Sequence, residues 1–588
     1  FKYLILLHCN DLNRYMPFMF ETIEDYMAIL FPEGLLGTDS FLREMIDTEV
    51  IPEDNWEKVE IIGWLYQYYI AEENDRVIRA KKRYKKEEIP FATQLFTPEW
   101  IVRYMVQNAL GRYWIESHPE DRDLIDNWEF FLESQESKKV LEEKLAPFIN
   151  KELKVEDIKC FDPAMGSGHI LVYMFDVLFE IYSKSGYMER EIPRLIIENN
   201  LYGLDIDDRA YQLACFSVVM KALEYNKRFL RSIERDGLKL NLASIQETNM
   251  LTDQDISYLA GEESGENYEK MKAFIDQFKH AKAIGSLIQV EIYDVEFLRD
   301  RLNQLEEKSG DLFEVELKDR VLPMFKNLLK QASIMTEKYD VFITNPPYAG
   351  RRYLTKEITD YIDKKYKDVK SDLFSSFIEY SFYATKKNGQ IGFMTPYVWM
   401  FISSYEKLRE KIINHRNISS LIQLEYSGFD GATVPICTFT LRNYNSETTG
   451  EYVRLADFRG AANQPIKTLE AVKDPKVSYR YTFNQEKFKN VPGFPIAYWI
   501  SNKLIYHFEN GKPLNQIASP RQGLATGKND KFLRQWFEVS YKNISFNSES
   551  REDANASGKM WFPYNKGGDY RKWYGNNDFI VNWYNDGY

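Results

Sequence analysis

The chain of 588 residues has few cysteines, no long apolar run and no repeated or low-complexity segment. Its four cysteines, Cys9, Cys160, Cys215 and Cys437, stand far apart and form no CxxC pair. This excludes a disulfide scaffold and a structural zinc site, and it is typical of a reducing cytoplasm. No apolar run approaches the ~18 residues that a membrane-spanning helix needs, which excludes an integral membrane protein. The chain does not begin with Met, and its first residues lack the cleavage pattern of a signal peptide.

The composition is otherwise ordinary for a globular protein. Hydrophobic residues make up 44% of the chain and charged residues 28%, which excludes a disordered chain. The length predicts about three to five domains. The net charge of −13 argues against a nucleic-acid partner, whereas the 15% aromatic residues favour surfaces on which bases stack. Composition alone therefore leaves the kind of partner open.

One stretch of the chain has the order of a parallel α/β fold. An apolar strand at 158–162 leads through a glycine-rich turn into an apolar helix at 170–182, and a second strand follows at 201–206. Further strands are predicted at 341–344, before a Pro-Pro turn, and at 389–395. Because strands that alternate with helices pair side by side, we predict a parallel sheet with right-handed crossovers.

Three other regions differ from this α/β pattern. Residues 1–88 have the pattern of helices, and residues 253–338 have that of a charged helical insertion packed on the core. After about 490, Gly, Asn, Trp and Tyr become frequent and the strands look short, which predicts the start of a β-rich domain. We therefore draw a helical N-terminal domain at 1–88, a core at 89–490 and a β-rich domain at 491–588.

Basic residues cluster at 76–86, where seven of eleven residues are Lys or Arg. They form either a solvated helix face or a helix that contacts phosphates. A second basic set in the tail comprises Arg521, Lys528, Lys531 and Arg534. Because net charge does not show where charges lie, these sets can line a cleft while acidic residues cover the outside.

Residues 162–168, Asp-Pro-Ala-Met-Gly-Ser-Gly, lie between the first strand and its helix. The two glycines let the backbone pass close to a ligand, and the helix begins with N–H groups that a ligand can use. A phosphate cradle would avoid the carboxylate of Asp162, whereas a cationic amino-acid group would attract it. The Lys-Ser/Thr pair of a phosphate-binding loop is also absent. The loop therefore indicates S-adenosylmethionine rather than a dinucleotide. The residues assigned to it are Asp162, Pro163, Ala164, Gly166, Ser167 and Gly168.

Asp205 ends the second strand and is followed by Ile206. A carboxylate at this place can accept hydrogen bonds from both ribose hydroxyls of a nucleoside. Its separation from Gly166 exceeds the ~20 residues of the compact dinucleotide fingerprint, and the long helix accommodates the difference. An ordinary tight turn is the structural alternative for the glycines, and Asp205 together with the next motif argues against it.

Asn345-Pro346-Pro347-Tyr348 follows a strand that has the pattern of a buried one. Methylating an exocyclic amine is difficult because its lone pair is delocalised into the ring. Two acceptors aimed at the two N–H bonds, the Asn345 side-chain oxygen and the Pro346 carbonyl, favour sp³ geometry at the nitrogen. Consecutive prolines fix the turn, and Tyr348 offers a ring on which the target can stack. The motif alone does not distinguish adenine in DNA, adenine in RNA and a glutamine amide.

Together these motifs resemble the amino-methyltransferases of DNA, in the order of their gamma class. The resemblance implies a Rossmann-like methyltransferase core that uses S-adenosylmethionine. It also implies that the segment 91–99, with Thr93, Thr97 and Pro98, covers the methionine part of the cofactor. The third cofactor motif has Asn249 and Met250 where the family usually carries an Asp that contacts the cofactor adenine, and Asn249 can hydrogen-bond the adenine amine.

Residues 429–434 resemble the aromatic motif that precedes the final hairpin in this family. The resemblance implies that Phe429 stacks on the flipped adenine opposite Tyr348, although a plain core Phe fits the sequence almost as well. Flipping a base costs a few kcal/mol, which stacking and hydrogen bonds at the base edge must offset. The expected partner is thus double-stranded DNA with a flipped adenine.

The late stretches 523–532 and 561–568, with the motifs above, resemble more narrowly the adenine-specific methyltransferases of BREX phage-resistance systems. This resemblance implies adenine N6 methylation that marks host DNA, other BREX proteins as partners and a prokaryotic cytoplasmic location. Members of that family are roughly twice as long, so we expect the chain to be a piece with an incomplete target-recognition domain.

Other functions are weighed against this one. A bifunctional restriction–modification enzyme would carry a nuclease, for which Asp311, Glu316 and Lys318 have a suitable but common spacing. A non-catalytic DNA-binding scaffold conflicts with the intact Asn345–Tyr348 motif, and cytosine-C5 methylation lacks its Pro-Cys dipeptide. Methylation of glutamine or ribosomal RNA fits the aromatic tail less well than methylation of DNA. His169 is interpreted as a helix-start residue rather than a base, and no metal is expected.

Overall fold

The structure is a computed structural model. It describes residues 1–20, 22–23, 29, 31–32, 34–56, 59, 61–93, 97–307, 312–426, 428, 434–521 and 523–587. The chain divides into two compact units, Phe1–Glu509 and Asn510–Tyr588. The domain limits drawn from the sequence at 88 and 490 stay predictions. Among the described residues, no helix combines the length and apolar character that crossing a membrane requires.

The first unit contains a nine-stranded sheet in the order β3-β2-β1-β4-β5-β7-β6-β8-β9. Its strands are β1 Cys160–Asp162, β2 Leu201–Asp205, β3 Asn241–Ser244, β4 Tyr339–Thr344, β5 Thr385–Pro396, β6 Asn417–Gln423, β7 Ile436–Arg442, β8 Gly450–Arg454 and β9 Arg480–Phe483. The strands β3, β2, β1, β4 and β5 pair in parallel, and β7 runs antiparallel to both β5 and β6. The strands predicted near 158, 201, 341 and 389 therefore pair in parallel as expected, within a sheet that is mixed as a whole.

The central strands are buried on both faces, which explains their continuous apolar sequences. All six residues of β4 are buried. Phe342 points into one apolar core, and its neighbours Val341 and Ile343 point into the other, as the alternation of a strand requires. Helices cover both faces, so the unit is a three-layer α/β structure. This confirms the predicted Rossmann-like α/β fold.

The helices His169–Lys184 and Asp208–Tyr225 pack on one face of the sheet, with Glu99–Val106. The helices Leu312–Thr336 and Leu373–Ala384 pack on the other. The other α-helices that the structure describes in this unit are Lys2–Asn13, Phe41–Met45, Glu53–Trp56, Ile61–Arg79, Ile89–Thr93, Arg112–Ser117, Lys138–Leu145, Ile192–Leu195, Phe229–Asp236, Asp253–Ala260, Glu266–Asp276, Ala281–Ile284, Val295–Glu307, Lys356–Lys365, Glu406–His415 and Asn463–Lys473, and Asn502–Asn510 ends at the limit between the two units.

The second unit contains an antiparallel sheet in the order β10-β12-β11. Its strands are β10 Leu533–Gln535, β11 Trp561–Tyr564 and β12 Phe579–Asn582. Two short helices, Asn529–Phe532 and Arg551–Ala556, precede β10 and β11. The buried side chains of Leu533, Ile580 and Val581 form part of its small core.

The basic run at 76–86 is not one helix face, because its helix ends at Arg79. Arg76 pairs with Glu73 at 2.8 Å and Arg79 with Asp75 at 2.6 Å. Lys86 forms an ion pair with Glu247. Acidic side chains of the same protein thus already neutralise several of these cations, which favours the solvated surface over the phosphate-binding helix.

Candidate functional site

A cavity lies where the carboxyl ends of β1, β2 and β4 meet. Because these three strands are parallel, the segments that follow them emerge at the same edge of the sheet. The predicted site residues that line the cavity are Thr97, Asp162, Pro163, Ala164, Gly166, Ser167, Asp205, Ile206, Asn345 and Pro347. His169, the first residue of the helix His169–Lys184, also lines it. Sequence motifs more than 180 residues apart therefore contribute to one site.

The glycine loop owes its shape to two left-handed residues, Gly166 at φ 53° and Gly168 at φ 87°. A side chain is strained at either position. A Cβ atom on Gly168 would also lie 3.0 Å from the Cα of Ala214, on a neighbouring helix. The glycines therefore let the loop turn sharply and bring the helix that it starts against that neighbour.

Asp162 is fully buried at the end of β1. Its Oδ1 accepts hydrogen bonds from the Ala164 N–H at 3.0 Å and the Thr344 hydroxyl at 2.7 Å. Its Oδ2 is buried without a hydrogen-bond partner among the residues that the structure describes. Burial raises the pKa of this carboxyl to about 7. An acceptor of this kind in a cavity wall is suited to a cationic group of a ligand.

Asp205 receives two backbone hydrogen bonds at the end of β2. The Gly166 N–H donates to Oδ2 and the Asp207 N–H donates to Oδ1, both at 2.9 Å. Desolvation by burial raises the pKa of the Asp205 carboxyl to about 6. The two bonds fix the carboxylate beside the glycine loop, and each oxygen keeps a lone pair for a further donor. The adjacent Ile206 adds an apolar side chain to the cavity wall.

Thr97 and Asn345 connect the first predicted cofactor segment to the predicted catalytic turn. The Asn345 amide nitrogen donates to the buried Thr97 hydroxyl at 3.0 Å across 248 residues of sequence. Pro98 precedes the helix Glu99–Val106 as its N-terminal flanking residue. Thr93 ends the helix Ile89–Thr93, and its side chain lies outside the part of the chain that the structure describes.

The turn at 345–348 directly follows β4. The Tyr348 hydroxyl lies 2.6 Å from the Asn345 side-chain oxygen and 3.0 Å from the Met394 carbonyl, and it has one proton to donate. Because Asn345 donates through its nitrogen to Thr97, its oxygen is the acceptor of the pair. Pro346 is buried and Pro347 lines the cavity. The Asn345 amide is thus held at both ends before a substrate arrives.

Among the predicted residues whose side chains the structure describes, six do not line the cavity: Pro98, Gly168, Asn249, Met250, Pro346 and Tyr348. Asn249 and Met250 lie on the surface, and Met250 is 80% exposed. The Asn249 side-chain oxygen accepts a hydrogen bond from the His280 N–H at 2.9 Å. Phe429 lies outside the described residues.

The residues of the alternative nuclease set lie only partly within the described part of the chain. Asp311 is outside the described residues, and Glu316 and Lys318 belong to the helix Leu312–Thr336 rather than to a strand. Among the described residues, no group of three or more His, Cys, Asp and Glu could hold a metal ion.

Sequence reasoning missed the cavity walls that come from the helix Ile61–Arg79 and from residues 283–286. Gly63, Tyr66 and Ile70 line the cavity from that helix. The Tyr66 hydroxyl donates to Asp207 Oδ2 at 2.5 Å, two residues beyond Asp205. Ser286 is buried and donates to the Pro163 carbonyl at 2.5 Å. The apolar residues at 64–70 were a signal for a buried helix face, but nothing local showed where that face packs.

The described residues fit S-adenosylmethionine. The cavity offers an unpaired buried carboxylate oxygen on Asp162 for an ammonium group, and a fixed carboxylate on Asp205 for hydroxyls. Apolar side chains of Ile70, Ile206 and Phe377 supply walls for a flat ring. The cavity therefore combines the polar and apolar groups that a nucleoside with an amino-acid tail requires.

A family model described as the Eco57I restriction-modification methylase matches residues 199–429. The chain is 36% identical along its full length to the adenine-specific methyltransferase BrxX of Escherichia coli O9:H4 (strain HS), of which it covers 49%. It is also 36% identical along its full length to the adenine-specific methyltransferase PglX of Lacticaseibacillus casei (strain Zhang), again covering 49% of the relative. The chain thus spans about half the length of the curated relatives it matches.

Solved structures resemble the chain more distantly. They include a nuclease-deletion mutant of the Type ISP restriction-modification enzyme LlaGI in complex with a DNA substrate mimic. That likeness has a TM-score of 0.37 and 15% identity, and it covers 65% of this chain and 26% of the other. A likeness of this size carries no argument about function, whereas the sequence identity confirms the resemblance inferred from the motifs.

Proposed function

Because the chain is a relative of the adenine-specific methyltransferases PglX and BrxX along its whole length, we propose that it methylates the N6 amine of adenine in DNA. The proposed methyl donor is S-adenosylmethionine, and the proposed target is a specific site in double-stranded DNA. The observation that carries the proposal is the hydrogen bond between Thr97 and Asn345. It joins the predicted cofactor segment to the predicted catalytic turn at one cavity.

The chain's own residues account for binding of the cofactor. The Asp162 carboxylate receives the ammonium group, Asp205 receives the ribose hydroxyls, and the glycine loop lets both carboxylates approach the ligand. Thr97 and Ser167 complete the polar wall. When bound, S-adenosylmethionine supplies an electrophilic methyl group on a sulfonium.

Asn345 and Pro346 orient the target amine. The Asn345 oxygen and the Pro346 carbonyl accept hydrogen bonds from the two N–H groups of the target amine. The nitrogen lone pair is thereby turned out of conjugation with the ring and toward the methyl donor. The Asn345 oxygen can hold Tyr348 and the amine together, because an amide oxygen has two lone pairs. The Tyr348 hydroxyl also has the Met394 carbonyl within reach at 3.0 Å. The amine loses its proton to solvent after transfer, so no residue need act as a strong base.

The target adenine stacks on Tyr348, and Phe429 is proposed as the opposite wall. The biological setting follows the relatives: methylation marks host DNA in a BREX-type phage-resistance system, together with other BREX proteins in a prokaryotic cytoplasm. This biological setting is supported by the similarity to PglX and BrxX and by the methylase family model that matches residues 199–429.

The proposal is tested by substituting Asn345→Ala. Single-molecule sequencing of DNA from cells that carry the full-length gene should show one methylated adenine motif, and the motif should vanish in the variant. The purified variant should bind S-adenosylmethionine like the wild type in calorimetry and lose at least ~100-fold in methyl transfer, the usual effect of removing a transition-state hydrogen bond. Full methylation by the variant, or a wild type that modifies no adenine, would contradict the proposal.

A further inference from the structure

The second unit gathers exposed aromatic side chains at one end of its sheet. Gln535, the last residue of β10, and Tyr564, the last residue of β11, both pair with Phe579, the first residue of β12. The loop 565–578 and the residues after β10 therefore emerge at the same end. The Trp536 N–H donates to the Asp578 carbonyl at 3.0 Å, which fixes the two segments side by side.

Five aromatic residues at this end face solvent. Tyr570, Trp573 and Tyr574 are 85%, 89% and 87% exposed, and Trp536 and Phe537 are 50% and 63% exposed. Apolar surface of this size is unfavourable in water and marks an interaction site when it is contiguous in the fold. We call the five residues the aromatic end of the sheet.

The loop that carries three of them is braced from within. The Asn576 side chain donates to the Asp569 carbonyl at 3.2 Å, which ties the two arms of the loop together. Gly575 lies in the positive-φ region at 154°, and a Cβ there would lie 2.5 Å from the Arg571 side chain. The aromatic side chains are thus presented on a formed turn, so binding a partner does not first require ordering the whole loop.

The charge of the second unit favours a polyanionic partner. Residues 510–588 contain eleven Lys and Arg against eight Asp and Glu, a net charge of +3, although the whole chain has −13. Arg571 and Lys572 lie between the exposed aromatic residues, and the Lys572 ammonium is 5.6 Å from the centre of the Trp573 ring. Cations that alternate with exposed rings suit a ligand that offers phosphates beside bases.

From this arrangement, and resting on the proposed DNA methyltransferase function, we infer that the aromatic end of the sheet binds the DNA duplex that the enzyme methylates. Arg571 and Lys572 contact phosphates. Trp573, with Tyr570 and Tyr574, packs against bases in the groove. The surface thus contributes to DNA affinity and not to cofactor binding.

The test uses the full chain, S-adenosylmethionine and sheared genomic DNA from bacteria that lack adenine methylation. Trp573→Ala should weaken DNA binding about tenfold, as expected when one stacked base contact is lost. Arg571→Gln with Lys572→Gln should weaken binding and lower the slope of log K against log salt by about two, one phosphate for each cation. Calorimetry should give an unchanged dissociation constant for S-adenosylmethionine in both variants.

Tyr541→Ala is the matched control. Tyr541 is 73% exposed in the same unit and stacks on Phe546, but it lies near the opposite end of the sheet, where Ile544 bridges Trp561, the first residue of β11. This variant should bind DNA like the wild type. Wild-type affinity in the Trp573→Ala and Arg571/Lys572 variants, or an equal loss in the control, overturns the inference. If the wild-type chain neither binds nor methylates DNA, the proposed function is wrong as well as this inference. The wild-type measurement alone therefore separates failure of the proposed function from failure of the inference.

Discussion

Gly63→Ala is the substitution for which the structure gives the sharpest expectation. Gly63 is buried in the first turn of the helix Ile61–Arg79, and a Cβ at this position would lie 2.7 Å from the Ser167 Oγ and 3.6 Å from the Ser167 Cβ. Atoms cannot approach to 2.7 Å without displacement, so either Ser167 rotates or the helix moves away. Both responses change the cavity wall, since Ser167 and the helix residue Tyr66 line it.

The size of the effect follows from two opposing contributions. Overpacking of a close contact costs typically 1–3 kcal/mol. Replacing Gly by Ala in a helix returns up to about 1 kcal/mol of stability, and less in a first turn. The free energy of unfolding should therefore fall by roughly 0–3 kcal/mol. Because the strain falls on a wall of the proposed cofactor site, the dissociation constant for S-adenosylmethionine should rise about tenfold, equivalent to about 1.4 kcal/mol.

A second substitution tests whether this contact is the cause. Ser167→Ala removes the Oγ at 2.7 Å and leaves only the Cβ at 3.6 Å, an ordinary contact distance. In calorimetry, the double variant Gly63→Ala/Ser167→Ala should bind the cofactor as well as Ser167→Ala alone, so the coupling energy in the double-mutant cycle should equal the whole loss of about 1.4 kcal/mol. An unchanged affinity for S-adenosylmethionine in Gly63→Ala would refute the reasoning. So would a double variant whose loss of binding free energy equals the sum of the losses in the two single variants.

Two further predictions concern the buried carboxyls. Because burial raises the pKa of Asp162 to about 7, its ionised form grows as pH rises, so cofactor affinity should increase from pH 5.5 to about 7 and then level off. Calorimetry across this range should lose most of that dependence in Asp162→Asn, and an equal dependence in the variant would count against the ammonium contact. Asp205→Ala should raise the dissociation constant for S-adenosylmethionine about 10- to 100-fold, because the hydrogen bonds from the ribose to a charged carboxylate are lost. An unchanged dissociation constant would refute the role of Asp205 in binding the ribose.

The parts of the fold and site that could be predicted from the sequence are those with a local cause. The strand β4 is a run of six buried residues, and its apolar pattern is visible without any partner. The glycines at 166 and 168 stand where left-handed backbone is required, and the prolines after Asn345 restrict a turn by their own rings. In each case the residue type itself determines the geometry. The bounds were less certain, and β5 begins four residues before the predicted 389.

Features that depend on distant contacts were not predictable in this way. The basic run at 76–86 has a helical composition, but its helix ends at Arg79, and Lys86 instead pairs with Glu247. Asn249 follows β3 as the family pattern suggests, yet the structure turns its side chain to His280 on the surface. No local pattern reports an ion pair or a hydrogen bond to a residue far along the chain.

The cavity is lined by more segments of the chain than the predicted motifs comprise. Three long-range hydrogen bonds attach outlying segments to it: Tyr66 to Asp207 across 141 residues, Ser286 to Pro163 across 123, and Asn345 to Thr97 across 248. One partner in each bond lies inside a predicted motif or within two residues of one. The motifs therefore bind other segments of the chain by hydrogen bonds. Such a segment needs only one hydrogen-bond donor and one small residue at the close contact. In the helix Ile61–Arg79 these are Tyr66, which donates to Asp207, and Gly63, which lies against Ser167. The helix Ile61–Arg79 is therefore part of the proposed cofactor site by its contacts, although its sequence contains no cofactor motif.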